Sequence, residues 1–200
     1  MRSALHLACY ANIPVPWLKA LLSHETCDLD LRDDFGSTAL HIASEHLNEA
    51  AVQLLIQARS PNLPNIMTLR DERGNTPLHE ALSLKVNDSF YPINIADNFV
   101  PTVKALLENI EDVVVANDHD ETPLICAAKL YGQRPRHRRH RRPGAQQYST
   151  KEKCAIVSVI YEIVRHVASR TGRVILVPET TIPPTEDVSD MRPAQRRRIS

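Results

Sequence analysis

The sequence predicts an all-α solenoid of about four helix-turn-helix repeats with β-hairpin loops, followed by a disordered C-terminal tail. Three observations lead there. A six-residue segment recurs as Ser3-Ala-Leu-His-Leu-Ala8, Thr38-Ala-Leu-His-Ile-Ala43, Thr76-Pro-Leu-His-Glu-Ala81 and Thr122-Pro-Leu-Ile-Cys-Ala127, with starts 35, 38 and 46 residues apart. Each copy precedes a second stretch with aliphatics at helical spacing: Leu18/Leu21/Leu22, Val52/Leu54/Leu55, Val103/Leu106/Leu107 and Ile160/Ile163/Val164. Residues 171–200 are interrupted by Pro178, Pro183, Pro184 and Pro193 and are rich in Thr, Ser and charge, a composition that cannot bury a core.

The first helix of each repeat follows from its opening residues. Thr38, Thr76 and Thr122 stand where an N-cap hydroxyl accepts from free backbone N–H groups. Pro77 and Pro123 take the first helical position, where a missing N–H does no harm. Leu40 and Ala43, like Leu78 and Ala81, are three apart on one face, and the small Ala admits a close neighbour. Asp33-Asp-Phe-Gly36 and Asp71-Glu-Arg-Gly74 read as turns in which Gly takes a positive φ. In the last copy Asp120 replaces that Gly and Ile125 replaces the His, so Asp120 is expected in the left-handed region. One such helix pair cannot bury its apolar face alone, whereas a stack can.

These boundaries give an array over residues 1–170, with repeats at about 3–32, 33–70, 71–116 and 117–170. The long spacings place insertions at about Leu84 to Asn98 and within 134–150. Lys151 to Arg170, with Ile156, Val159, Ile160, Ile163, Val164 and Val167, is either the outer helix of repeat four or an appended packing helix. Arg173-Val-Ile-Leu-Val177 has strand composition without an obvious partner.

The recurring segments are the T-P-L-H-x-A pattern, and over about residues 3–170 the chain resembles the ankyrin-repeat family. The resemblance implies a module that binds another protein through its hairpin tips and concave inner-helix face, as a scaffold, adaptor or inhibitor. Carried over position by position, the partner-binding residues are Asp34, Phe35 and Ser37, then Glu72, Arg73 and Asn75, then Asp118, His119 and Glu121. Those on the inner helices are Glu45 and His46, Ser83 and Leu84, and Lys129 and Leu130. Phe35 is either an aromatic anchor for the partner or a ring folded on the adjacent hairpin. The resemblance also implies that His41 and His79 tie the turns through hydrogen bonds.

Composition narrows the function further. Residues 1–133 carry 9 Lys+Arg against 18 Asp+Glu and residues 134–200 carry 15 against 6, so a net charge of zero hides an acidic front and a basic rear. The acidic front favours a basic partner. The run Arg134, Arg136, Arg138, Arg139, Arg141 and Arg142, with two His and no acid, reads as a solvated loop, a nuclear-import signal or an anchor for an anionic partner. With few aromatics nearby, nucleic-acid base reading is not expected.

Chemistry finds no foothold. There is no Gly-rich phosphate cradle, nucleophile elbow or H-E-x-x-H pair, so neither an enzyme nor a cofactor is expected. The four Cys lack metal-ligand spacing, and Asp28 to Asp34 has Arg32 where a calcium loop needs a ligand. The longest apolar run, Cys154 to Val164, is too short for a membrane span and contains Glu162. A monomer in the cytoplasm or nucleus is expected. The rival readings are a nuclear regulator using the Arg run, and a fragment of a larger enzyme or channel.

Overall fold

A computed structural model describes residues 2–25, 27–58, 65–83, 95–110, 112–132 and 150–171. Among them are eight helices and no strand: α1 (Ala4–Tyr10), α2 (Val15–Leu22), α3 (Ala39–Glu45), α4 (Glu49–Gln57), α5 (Pro77–Ser83), α6 (Ile95–Asn109), α7 (Pro123–Gly132) and α8 (Thr150–Thr171). They form two layers. The inner row packs α1 on α3, α3 on α5 and α5 on α7, while the outer row packs α2 on α4, α4 on α6 and α6 on α8. Consecutive inner and outer helices also pack together, which makes each repeat a helical hairpin.

The short inner helices end in a specific way. Leu47 and Asn12 lie at φ of 51° and 50°, and the next residues, Asn48 and Ile13, donate their N–H groups back to Ala43 and Ala8 carbonyls at 2.9 and 3.2 Å. This left-handed cap reverses the chain into the outer helix. A Leu resists that conformation, but its side chain is wholly buried, and the burial offsets the strain. Asn48 then caps α4 by accepting from the Ala51 N–H at 3.0 Å.

The core runs the length of the stack. Leu40, Ala43, Leu78, Ala81 and Ala127 line the inner row, and Val52, Leu55, Leu106, Ile156 and Ile163 line the outer row. Phe99 is fully buried and is the bulkiest side chain to be so. Helix α8 lies on α7 and α6 as α6 lies on α5 and α4, the position of an outer helix. It is far longer than α2 or α4, at 22 residues against 8 and 9. The Arg-rich run, Leu84 and residues 172–200 of the expected tail lie outside the described residues, while Thr171 ends α8.

Candidate partner-binding surface

Each tip is a short loop closed on itself. The N–H groups of Asp33, Asp71 and Asn117 donate to the carbonyls of Ser37, Asn75 and Glu121 at 2.9, 2.9 and 3.0 Å. The side chain of the same residue folds inward. Oδ1 of Asp33 accepts from the Phe35 and Ser37 N–H groups at 2.9 and 3.0 Å, and Oδ1 of Asp71 accepts from Arg73 and Asn75, both at 2.8 Å. Asn117 repeats this with His119 and Glu121 at 2.9 and 3.0 Å. Burial would raise the Asp33 carboxyl, but these backbone donors and Arg2 hold it below its usual value. Gly36, Gly74 and Asp120 supply the left-handed residue at φ of 71°, 72° and 58°.

The tips are then stitched together in three rows. In the first, the Glu72 and Asp118 N–H groups donate to the Phe35 and Arg73 carbonyls of the preceding tip, both at 3.1 Å. In the second, the Arg32 guanidinium donates to the Arg70 carbonyl, and Arg70 donates to the Ala116 carbonyl at 3.0 Å. The third row is the histidines. Nε2 of His6, His41 and His79 meets the carbonyls of Ser37, Asn75 and Glu121, each at 3.0 Å. A carbonyl can only accept, so Nε2 carries the proton and Nδ1 is the acceptor. Nδ1 of His41 accepts from the Thr38 N–H at 3.1 Å and from its hydroxyl at 2.8 Å, and His79 does the same with Thr76 at 3.2 and 2.8 Å. Burial lowers the pKa of both rings, more than the carbonyl contacts raise it, and so favours this neutral form.

His41 and His79 tied to the turns in this way are what the resemblance implies. Residues 5–91 match the family model described as ankyrin repeats, in three copies. Residues 5–91 carry ankyrin repeats. The chain is 40% identical over 81 residues to bovine SMC5-SMC6 complex localization factor protein 1, covering 40% of this chain and 7% of that protein. It is 30% identical over 149 residues to human B-cell lymphoma 3 protein, covering 63% of this chain and 32% of the relative. The match to human NF-kappa-B inhibitor alpha is 40% over 81 residues, 40% of this chain and 25% of the relative. The chain therefore spans less than a third of the length of these relatives.

The ankyrin tips present some expected residues and withhold others. Asp34, Phe35, Glu72, Arg73, Asp118 and His119 are exposed, in three successive pairs along the row of tips. Phe35 is 59% exposed. Ser37, Glu45, His46, Ser83 and Glu121 are half-buried, and Lys129 is exposed and ion-paired with Glu121. His46 spends its ring on Tyr10 of the preceding repeat, edge to face with centroids 4.9 Å apart.

Two of the expected contact residues are structural. Leu130, at 2% exposed, packs into the core, because it falls on the face of α7 that meets its neighbours. Asn75 is buried between repeats, donating to Glu80 Oε1 and accepting from the Asn117 amide, each at 2.8 Å. Both are buried within the array. The residues that close and link the tips recur in register, Asp33, Asp71 and Asn117 five residues ahead of each Thr, and Arg32 and Arg70 one residue earlier.

Elsewhere, a groove between α6 and α8 is lined by Lys104, Leu107, Glu108, Glu162, Arg165 and His166. Glu162 pairs with both Lys104 at 3.6 Å and Arg165 at 3.9 Å, so the groove is electrostatically neutralised. Cys9 is pushed up to about 12 and Cys126 to about 11, both chiefly by burial, which keeps them protonated and poorly nucleophilic. No helix of the described residues is long and apolar enough to cross a membrane.

Proposed function

We propose that this array binds a protein partner along its tips and the inner-helix face beside them, as a scaffold, adaptor or inhibitor without catalysis of its own. The observation that carries it is the row of exposed tip pairs on a spine whose backbone groups are already bonded to one another. Asp34 with Phe35, Glu72 with Arg73, and Asp118 with His119 are exposed on that spine, Asp118 while paired with Arg70 at 3.1 Å. Such a spine loses little conformational freedom on binding, so contacts at the tips convert efficiently into affinity. Phe35 is the anchor, and the surrounding acids Asp34, Glu72 and Asp118 favour a partner with basic groups flanking an apolar contact. The names of an inhibitor and a localization factor among the relatives favour a regulatory role in the cytoplasm or nucleus.

The test is a crosslinking pull-down from the native cell with the wild type and Phe35→Ala. The exposed substitution leaves the melting temperature unchanged while the main crosslinked partner is lost. Retention of every partner would sink the tip reading. The nuclear reading rests on the six arginines between Arg134 and Arg142. Changing them together to Ser abolishes nuclear accumulation if they form an import signal, and unaltered distribution removes that reading.

A further inference from the structure

The turns of repeats two, three and four are closed by the same two backbone donors, but the closing side chain differs. Asp33 and Asp71 close theirs with a carboxylate, whereas Asn117 closes the last with an amide. The second carboxylate oxygen of Asp33 accepts from Arg2 of repeat one at 3.4 Å. The corresponding atom of Asn117 is an NH2, which can only donate. It donates back to Asn75 Oδ1 of repeat three at 2.8 Å.

The bonds continue inward. Asn75 Nδ2 donates to Oε1 of Glu80, on α5, at 2.8 Å. All three side chains are buried, Glu80 at 2% exposed, Asn117 at 7% and Asn75 at 8%. A carboxylate only accepts, so Glu80 draws the Asn75 NH2 toward itself and turns the Asn75 oxygen the other way. That oxygen needs a donor, which sets the Asn117 NH2 toward it and the Asn117 oxygen toward its own turn. There Oδ1 accepts from the His119 and Glu121 N–H groups at 2.9 and 3.0 Å. One buried carboxylate thus orients two amides in series, and the series ends on the backbone of the tip. The seam between repeats two and three has Ser37, Ile42 and Asp71 at the same three places, so it holds no such relay.

We propose that Glu80, acting through Asn75 and Asn117, is a positioning residue for the tip of repeat four. The pose in which Asp118 and His119 are presented is then set from repeat three, a consequence for binding that rests on the tips being the partner surface. Both residues lie inside the loop that Asn117 closes onto Glu121. Leaving any member of a buried relay unpaired is costly, so the relay holds this loop in one pose. An aspartate at position 117 would close the turn as Asp33 and Asp71 close theirs. Its second oxygen, however, would meet the Asn75 oxygen, acceptor against acceptor. Turning the Asn75 amide over only moves that conflict to Glu80.

Native-state amide exchange on the full chain, followed by NMR, is the test. Asn117→Asp raises exchange of the His119 and Glu121 amides about tenfold, the scale of one buried polar group left unpaired, and spares those of Phe35 and Ser37. The double variant Glu80→Gln, Asn117→Asp returns both amides to wild-type exchange. In it the Asn75 amide turns over, the glutamine NH2 donates to its oxygen, and its NH2 donates to the aspartate. An Asn117→Asp protein with wild-type exchange at this tip overturns the proposal, as does a double variant no better protected than the single. If Asn117→Asp melts early throughout, Asn75→Ser cuts the relay instead, placing there the residue type that repeat two carries as Ser37. Faster exchange confined to His119 and Glu121 supports the relay, whereas unchanged exchange, or an equal rise at Phe35 and Ser37, overturns it. Exchange is read without a partner, so this result and that of the Phe35→Ala pull-down are decided separately.

Discussion

At the scale of single residues, the left-handed positions separate most sharply. A Cβ on Gly74 would lie 2.2 Å from Asp118 Oδ1 and 2.5 Å from the Arg70 guanidinium, in addition to the strain of φ at 72°. Gly74→Val therefore costs about 1–3 kcal/mol and breaks the Arg70–Asp118 contact, and thermal melts show a markedly lower midpoint. Asp120→Gly relieves the same conformation where it is already occupied at a cost, and raises the midpoint by an amount equivalent to about 0.5–1 kcal/mol. His41 and His79 set a pH dependence. Their folded pKa lies below the ordinary 6.5, so the unfolded chain takes up protons first as the pH falls. Stability is full above 6.5 and is lost progressively below it. Melts across that range show the slope, and His79→Gln reduces it. The thiols divide similarly. In native protein, iodoacetamide labels exposed Cys154 and spares Cys9 until unfolding, as peptide mass spectrometry reveals.

At the scale of elements, the inner helices were legible because their signal is local. A cap, a Pro at the first turn and an Ala on the packing face all fall within six residues, and α3 and α5 begin where Thr38 and Thr76 place them. The left-handed turn at Asp120 was legible for the same reason. Leu47 was not, since nothing in a Leu announces a positive φ, and only burial makes it tolerable. The exposure of the candidate surface was legible in part. Tip residues follow from turn position, but Leu130 and Asn75 depend on which neighbour lies above them, and one repeat's sequence does not contain that information. The same dependence governs α8. Its long buried stripe docks on both α6 and α7, so Ile163→Ala costs about 2–5 kcal/mol and shortens the unfolding of repeats three and four together. An appended helix would instead melt in a separate, earlier step, visible in urea titrations followed by circular dichroism.

At the scale of the whole molecule, each repeat touches its immediate neighbours and little else, so stability is a chain of local terms rather than one global core. The Arg and His side chains that join these terms point one way: Arg32 and Arg70, and His6, His41 and His79, donate toward the next repeat. That polarity makes the two ends unequal under trimming. Proteolysis that removes repeat one deprives the Ser37 carbonyl of a donor, a modest loss for an acceptor that water can reach. Removing repeat four takes away more: the Glu121 carbonyl from His79 Nε2, the Asp118 carboxylate from Arg70, and the donors that serve the Arg73 carbonyl and the buried Asn75 side chain. Erosion from the rear is therefore the costlier of the two, and a protease that nibbles from both directions would leave fragments that keep their last turn and have shed their first.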